Sequence, residues 1–133
     1  NMGVAFDTPD GLLVPVIKNA NKKSLEEIAK ELLEIAEKVE SRKYTLDDIT
    51  GSTFTITNLG MLDVDIFTPV INPPEVAILG IGRARKVPEI TQEGISFKDK
   101  IWFSLTFDHR VIDGAPAARF LKRLAELCRE PKL

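Results

Sequence analysis

The chain has 133 residues, 44% of them hydrophobic and 29% charged, and its formal charge is −2 at pH 7. These values are typical of one soluble globular domain, and they exclude disordered and fibrous classes. Because Lys and Arg are mixed with Asp and Glu along the chain, the charge pattern gives little support to a nucleic-acid surface.

Two apolar runs open the chain and predict strands. Residues 2–7 and 12–18 are separated by Thr8-Pro9-Asp10-Gly11, a turn sequence in which proline pre-sets φ and glycine tolerates a positive one. Pro15 predicts an edge position or a bulge, because proline donates no hydrogen bond to a ladder. The first run begins without a polar lead-in, so we expect the natural start of the domain to lie upstream.

A long amphipathic helix is predicted next. Ser24 and Glu27 have the spacing of a capping box. The residues that follow place one apolar stripe on the helix, with a spacing of three or four: Leu25, Ile28, Ala29, Leu32, Ile35, Ala36 and Val39. Residues 45–49 predict a single helical turn that ends at Gly51.

Residues 52–58 alternate and predict a half-exposed strand. The two faces hold Phe54 and Ile56 on one side, and Thr53, Thr55 and Thr57 on the other. This strand would deliver Thr57 and Asn58 at its end, where Leu59-Gly60 breaks the pattern.

The second half predicts two strands and a closing helix. Prolines make residues 63–74 irregular, and the nearly continuous apolar run at 75–83 predicts a strand covered on both faces. Polar residues 85–99 predict a loop or a hairpin around Gly94, and residues 100–107 predict a last strand. Pro116 fits the first turn of a helix. We expect that helix to bury Ala117, Phe120, Leu121, Leu124, Leu127 and Cys128, and we place Trp102 and Phe103 in the core.

These elements predict an α/β fold with two layers, a mixed β-sheet with helices packed on it. The single cysteine and single histidine exclude an internal disulfide and a structural zinc cluster. No apolar run approaches the ~20 residues of a membrane-spanning helix, and no charged-then-apolar leader opens the chain.

The only histidine, His109, lies between the last strand and the closing helix. A neutral imidazole, with an ordinary pKa near ~6.5, can accept the proton of a thiol whose pKa is near ~8.5. Asp113, four residues later, could orient the ring or cap the helix. A structural or surface role for His109 stays open at this point. Cys128 is expected on the apolar helix face, where a buried thiol is normally inert.

Four segments resemble, in the same order, segments of the dihydrolipoyl acyltransferases, the core subunits of 2-oxoacid dehydrogenase complexes. They are DTPDGLLVPVI at 7–17, TFTITNLG at 53–60, FTPVINPP at 67–74 and DHRVIDG at 108–114. The last is similar to the family's Asp-His-Arg-x-x-Asp-Gly signature. The resemblance implies a chloramphenicol acetyltransferase-like fold in which residues 1–133 are the C-terminal part of a single catalytic domain, without its upstream part.

The resemblance also implies a chemistry, the transfer of an acyl group between the thiols of dihydrolipoamide and coenzyme A. His109 would be the general base. Thr57, where the family usually has serine, would donate its hydroxyl to the charged carbonyl oxygen. Asp113 would stabilise the site, with Asp108 and Arg110 fixing the loop. The residues implied for coenzyme A are Asn58, Leu59 and Gly60, the glycine leaving room for pantetheine. The lipoyl group would be carried on another domain, and no metal is expected.

Partners follow from the same resemblance. Relatives form trimers in which the histidine and the hydroxyl of neighbouring subunits meet. Without the family's upstream half one face of the sheet would be left uncovered, which also predicts self-association. A larger cubic or icosahedral core, a lipoyl domain, and 2-oxoacid dehydrogenase and dihydrolipoamide dehydrogenase subunits are implied, without nucleic acid or membrane. The location would be the cytoplasm, or the mitochondrial matrix in a eukaryote. Two alternatives remain: a catalytically weak or silent assembly module, and a chloramphenicol-type acetyltransferase.

Overall fold

A five-stranded mixed sheet forms the centre of the molecule. The computed structural model describes residues 1–92 and 94–131. In that part of the chain the elements are β1 (Met2–Val4), β2 (Phe6–Thr8), β3 (Gly11–Leu13), β4 (Val16–Ile17), α1 (Leu25–Glu40), β5 (Phe54–Asn58), β6 (Ala77–Ile81), β7 (Arg85–Thr91), β8 (Gly94–Lys100), β9 (Phe103–Phe107) and α2 (Gly114–Arg129). The sheet order is β4-β1-β5-β6-β9. Its inner three strands are parallel and the two outer strands antiparallel to them, which confirms the predicted class.

Each of the two opening runs is broken into two strands rather than forming one. β1 and β4 belong to the central sheet, whereas β2 and β3 form a separate antiparallel hairpin closed at Gly11, whose φ is +115°. The break lies at Pro15: its carbonyl accepts the Val4 N–H at 2.9 Å, but it has no N–H with which to continue the ladder. Pro15 directly precedes β4, an edge strand, as its sequence position predicts.

Both helices lie on the same face of the sheet. Directly paired residues of neighbouring strands share a face, so Met2 and Phe54 point to the same side. Ile35 and Val39 of α1 pack with Ile17 in a buried cluster that Met2 adjoins. On α2, the Phe120 ring lies 5.9 Å from the Phe54 ring.

The predicted capping box of α1 is present. Ser24 Oγ accepts the Glu27 N–H at 3.2 Å, and Glu27 Oε2 accepts the Ser24 N–H at 2.7 Å. These bonds satisfy two backbone donors that a helix start leaves free, so the helix begins at Leu25.

The other face of the sheet is covered by an irregular segment, which corrects the prediction of a half-exposed strand. Thr55 is only 1% exposed. Phe67 and Pro69 approach Gly80 so closely that a Cβ there would lie 3.0 and 3.2 Å from them. A periodicity of two cannot reveal this cover, because the covering residues follow the strand in sequence and fold back over it.

The end of the chain departs from the prediction in two places. Residues 85–91 and 94–100 pair as the hairpin β7–β8, so the last strand begins at Phe103 rather than at 100, and Trp102 is exposed instead of buried. Cys128 is also exposed, against the expected buried face of α2, where Ala117 is buried but Leu127 is not. In the described structure, α2 contacts the sheet chiefly along β9. The apolar stripe therefore extends beyond the surface available to cover it. Neither helix is long and apolar enough to cross a membrane, within the residues described.

Candidate functional site

His109 is held on a short, well-bonded loop after β9. The Asp108 N–H donates to the Val76 carbonyl at 2.8 Å, and the Asp108 carbonyl accepts the Ile112 N–H at 2.9 Å. The Arg110 guanidinium donates to the Asp108 carboxylate at 2.6 and 3.0 Å, and this contact lowers the pKa of Asp108 to about 2. Residues 108–112 thus form a fixed base from which the imidazole projects, as expected for Asp108 and Arg110.

The imidazole itself faces solvent, with its side chain 73% exposed. Its Nδ1 lies 3.8 Å from Asp113 Oδ1, which is beyond hydrogen-bonding distance. Asp113 occupies the N-cap position of α2 but accepts no capping hydrogen bond. In this structure Asp113 therefore neither forms a hydrogen bond to the ring nor caps the helix with its side chain. The ring is accessible to a substrate.

Thr57 lies at the opposite end of the sheet. It is half-buried near the end of β5, directly paired with Gly80 on β6. Asp108 is hydrogen-bonded to Val76, which precedes Gly80 by four residues. Measured along the strand direction alone, the backbones of Thr57 and Asp108 are therefore roughly 13 Å apart. A single chain does not bring the hydroxyl and the imidazole together.

The turn after Thr57 is tightly packed against the chain. Asn58 Oδ1 accepts the Gly60 N–H at 2.8 Å, and the Leu59 N–H donates to the Ile81 carbonyl at 3.1 Å. A Cβ on Gly60 would lie 2.8 Å from the Arg83 Cα and from the Gly82 carbonyl oxygen. Glycine at position 60 is therefore required by this backbone contact, a reason that the sequence pattern alone did not reveal. Binding of coenzyme A by Asn58, Leu59 and Gly60 stays a prediction.

An ion-pair cluster beside this turn was missed in the sequence. Arg83 Nε donates to Asp65 at 2.7 Å and Arg83 Nη1 to Asp63 at 2.8 Å, while Arg85 also contacts Asp65. These bonds raise the pKa of Arg83, with Asp65 as the larger cause. The only sequence signal was an Asp-x-Asp and an Arg-x-Arg pattern about 20 residues apart.

A buried carboxylate was also missed. Glu75 is 8% exposed, and its Oε1 accepts the hydroxyls of Ser52 and Thr55 at 2.5 and 2.7 Å. Its Oε2 is buried without a hydrogen-bond partner among the described residues. Glu75 fixes the start of β6 to β5 at the end of the sheet where His109 lies.

Other features of the surface do not coincide with these residues. A cleft of about 390 Å³ lies between α1 and residues 47–48, and ion pairs such as Lys38–Asp48 occupy its walls. Among residues 1–92 and 94–131, no group of three or more His, Cys, Asp or Glu side chains is placed to hold a metal ion.

Comparisons with known proteins identify the fold. A structure of the dihydrolipoamide acetyltransferase (E2p) of Azotobacter vinelandii superposes with a TM-score of 0.91 and 49% identity, over 97% of this chain and 53% of that one. The structure comes from an investigation of the role that a serine, a histidine and an asparagine have in the catalytic mechanism of the Azotobacter enzyme. There the histidine follows the serine by 52 residues and precedes the asparagine by four, the spacings that separate Thr57, His109 and Asp113 here.

Further relatives have the same character. The cubic core of the pyruvate dehydrogenase multienzyme complex gives a TM-score of 0.89 at 49% identity, over 95% of this chain and 52% of that one. The dihydrolipoyllysine-residue acetyltransferase component of the Acholeplasma laidlawii pyruvate dehydrogenase complex is 47% identical over the whole chain.

The chain spans about a quarter of the length of that curated relative (24%) and about half of the solved structures. A family model described as 2-oxoacid dehydrogenases acyltransferase (catalytic domain) matches residues 1–133. The chain belongs to this acyltransferase family.

Proposed function

We propose that the protein transfers an acyl group between dihydrolipoamide and coenzyme A, with acetyl as the group, and that residues 1–133 are the C-terminal part of its catalytic domain. The observation that carries the proposal is an accessible His109 on a fixed loop, at the spacing from Thr57 and Asp113 that relates the three residues named for the Azotobacter enzyme. The acetyl group is supported by the names of the relatives.

The chemistry begins with a proton transfer to His109. The neutral imidazole accepts the proton of the attacking thiol, and the thiolate adds to the thioester carbonyl. The Thr57 hydroxyl of a neighbouring chain donates a hydrogen bond to the oxygen that becomes negative. The carbon–sulfur bond to the other thiol then breaks, and the leaving thiolate takes the proton back from the imidazolium. No acyl group is bonded to the protein at any stage.

Asp113 supports the charged form of the ring. Its carboxylate is 3.8 Å from Nδ1, so a small rotation of either exposed side chain brings the two into a hydrogen bond. Such a bond stabilises an imidazolium more than a neutral imidazole. Asn58, Leu59 and Gly60 would contact coenzyme A next to Thr57.

The working form in this proposal is a homotrimer or a larger cubic or icosahedral core. The separation of Thr57 and His109 within one chain supports it, as does the likeness to a cubic core. The partners would be a lipoyl domain and the dehydrogenase and dihydrolipoamide dehydrogenase subunits, in the cytoplasm or, in a eukaryote, the mitochondrial matrix.

The proposal is tested by steady-state transfer between acetyl coenzyme A and dihydrolipoamide with the full-length protein. His109→Ala should lower kcat by ~10²–10⁴, the usual range for a lost general base. Asp113→Asn, which introduces the residue type named in the Azotobacter enzyme, should lower kcat far less than His109→Ala, because the amide oxygen can still accept a hydrogen bond from the ring. The control is Asp47→Asn, a change at an exposed residue outside the proposed site, which should leave kcat unchanged. Undiminished turnover in His109→Ala would remove the histidine from the mechanism.

The same preparation decides between the alternatives. A well-defined oligomer without turnover and without coenzyme A binding in calorimetry would favour an assembly module. Transfer to chloramphenicol instead of dihydrolipoamide would favour the antibiotic acetyltransferases.

A further inference from the structure

Arg83 connects two stretches of backbone near the end of β5, the end of β6 and residues 63–65. It follows β6 directly after Gly82, and its N–H donates to the Val64 carbonyl at 2.9 Å. Its guanidinium donates hydrogen bonds to two residues that lie earlier in the chain, Asp63 at 2.8 Å and Asp65 at 2.7 Å. One side chain thus closes residues 63–65 onto the end of β6 with charge-assisted bonds, the stronger class of hydrogen bond in proteins.

The segment fixed by Arg83 is bonded in turn to the residues next to Thr57. The Val64 N–H donates to the Leu59 carbonyl at 3.4 Å, and the Asp63 N–H to the Gly60 carbonyl at 3.2 Å. Gly60 lies against the Arg83 backbone, and Gly82 lies against the Asp65 backbone, so closely that neither has room for a Cβ. Any shift of residues 63–65 is therefore transmitted to the turn that begins at Asn58.

Arg83 is better placed than Arg85 to hold residues 63–65. Its side chain is 27% exposed and binds two carboxylates, whereas Arg85, which among the described residues pairs with Asp65, is 52% exposed. Asp63 has a φ of +63°, a left-handed conformation that is uncommon outside glycine but that aspartate, like asparagine, adopts more readily than most residues. The ion pair to Arg83 stabilises that conformation.

We propose that Arg83 is a positioning residue for Thr57: by binding Asp63 and Asp65 it fixes the turn at residues 58–65, and with it the direction of the Thr57 hydroxyl. This rests on the proposed function, in which that hydroxyl stabilises the carbonyl oxygen. Arg83 itself does not touch the substrates.

A double-mutant cycle separates this role from a general loss of structure. Arg83→Gln should lower kcat by ~10–100-fold, since misplacement by about 1 Å costs as much as ~10²-fold. In a Thr57→Val background, Arg83→Gln should change kcat by less than ~2-fold, because there is no hydroxyl left to position. An equal fall in both backgrounds would overturn the proposal.

Two variants control for charge and folding. Arg42→Gln removes another arginine–aspartate ion pair, Arg42–Asp10 at 2.8 Å, which joins the end of α1 to the β2–β3 hairpin, and should leave kcat unchanged. Asp63→Asn removes one of the two carboxylates, and asparagine tolerates a positive φ, so this variant should fold and show a smaller fall in kcat. Wild-type kcat in Asp63→Asn together with a global loss of folding in Arg83→Gln would contradict the positioning role.

Hydrogen exchange gives a readout that does not depend on activity. Peptides covering residues 58–65 should exchange faster in Arg83→Gln than in the wild type, while peptides from α1 keep their rates. Unchanged exchange at 58–65 would overturn the proposal. Faster exchange there in a protein without transfer activity would keep the role of Arg83 in fixing the turn and end the proposed function.

Discussion

Thr57 differs from the serine named for the Azotobacter enzyme by one methyl group, and it is half-buried beside a covered part of the sheet. The residue pairs with Gly80, and Phe67 and Pro69 cover the same face at that point. A β-branched side chain has few allowed χ1 values, so its hydroxyl direction is set by the backbone and these neighbours. The methyl group limits rotation without removing the donor.

The hydroxyl can be tested separately from the methyl group. Thr57→Ser keeps the donor and should leave kcat within ~3-fold of the wild type, whereas the nearly isosteric Thr57→Val should lower it by ~10²–10³, the usual cost of one lost donor to a developing oxyanion. Steady-state transfer assays compare kcat of the two variants with that of the wild type, once thermal unfolding has shown that all three proteins are equally stable. Equal activity of Thr57→Val and wild type would show that the hydroxyl takes no part.

The carboxylate of Asp48 connects the helix α1 to the turn that follows it. Asp48 Oδ1 accepts the Lys38 ammonium at 2.8 Å, and its Oδ2 accepts the Thr45 N–H and hydroxyl, each at 2.8 Å. These bonds, first that to Lys38, hold the pKa of Asp48 well below its ordinary value of 3.8. A carboxyl with a lowered pKa in the fold stabilises the native state when it is ionised.

Asp48→Asn should therefore destabilise the fold by about 1 kcal/mol near neutral pH, since the ion pair is lost while the amide oxygen keeps part of the bonding to Thr45. The contribution is complete above the ordinary value of 3.8 and is lost as the pH falls below it. In urea unfolding, the difference between the two proteins should therefore narrow progressively below pH 3.8 and disappear only when the pH falls through the lowered pKa of native Asp48.

The adjacent Asp47 provides the control for this measurement. Its side chain is 91% exposed and contacts only Lys18, at 3.5 Å. Asp47→Asn should leave the free energy of unfolding nearly unchanged at neutral and at acid pH. A difference between wild type and Asp48→Asn that stays constant from neutral to acid pH would contradict the assignment of the stabilisation to ionised Asp48.

Apolar side chains remain exposed on the surface of the molecule, which supports the proposal that the chain functions in an assembly. The hairpin β7–β8 presents Pro88, Ile90, Ile95 and Phe97 on one side, since they form two directly paired positions. Ile90 is 90% exposed and Phe97 67%. Apolar surface of this kind, together with the exposed stripe of α2, normally marks a protein contact. The separation of Thr57 and His109 points to the same conclusion, because the proposed chemistry needs both.

Mixed oligomers test that conclusion directly. His109→Ala and Thr57→Val should each be nearly inactive, but co-expression should, in the proposed trimer, create sites in which an intact histidine meets an intact threonine of the next subunit. Random assembly makes about a quarter of the sites intact, so about a quarter of wild-type activity should return. The control is a mixture of the two separately purified variants, kept under conditions in which assembled oligomers do not exchange subunits. No recovery in verified mixed oligomers would place both groups in one chain.

Elements with local causes could be predicted from the sequence, whereas features that depend on contacts between distant segments became visible only in the folded chain. The capping box of Ser24 and Glu27, the edge position near Pro15 and the buried run of β6 depend on neighbouring residues, so spacing and residue type predicted them. The cover over Thr55, the exposure of Cys128 and Trp102 and the contact that requires Gly60 depend on segments distant in sequence. The sequence also singled out Thr57 and His109, but not their positions at opposite ends of one sheet. Strand order and register decide that, and alternation along a strand encodes only which face a side chain takes.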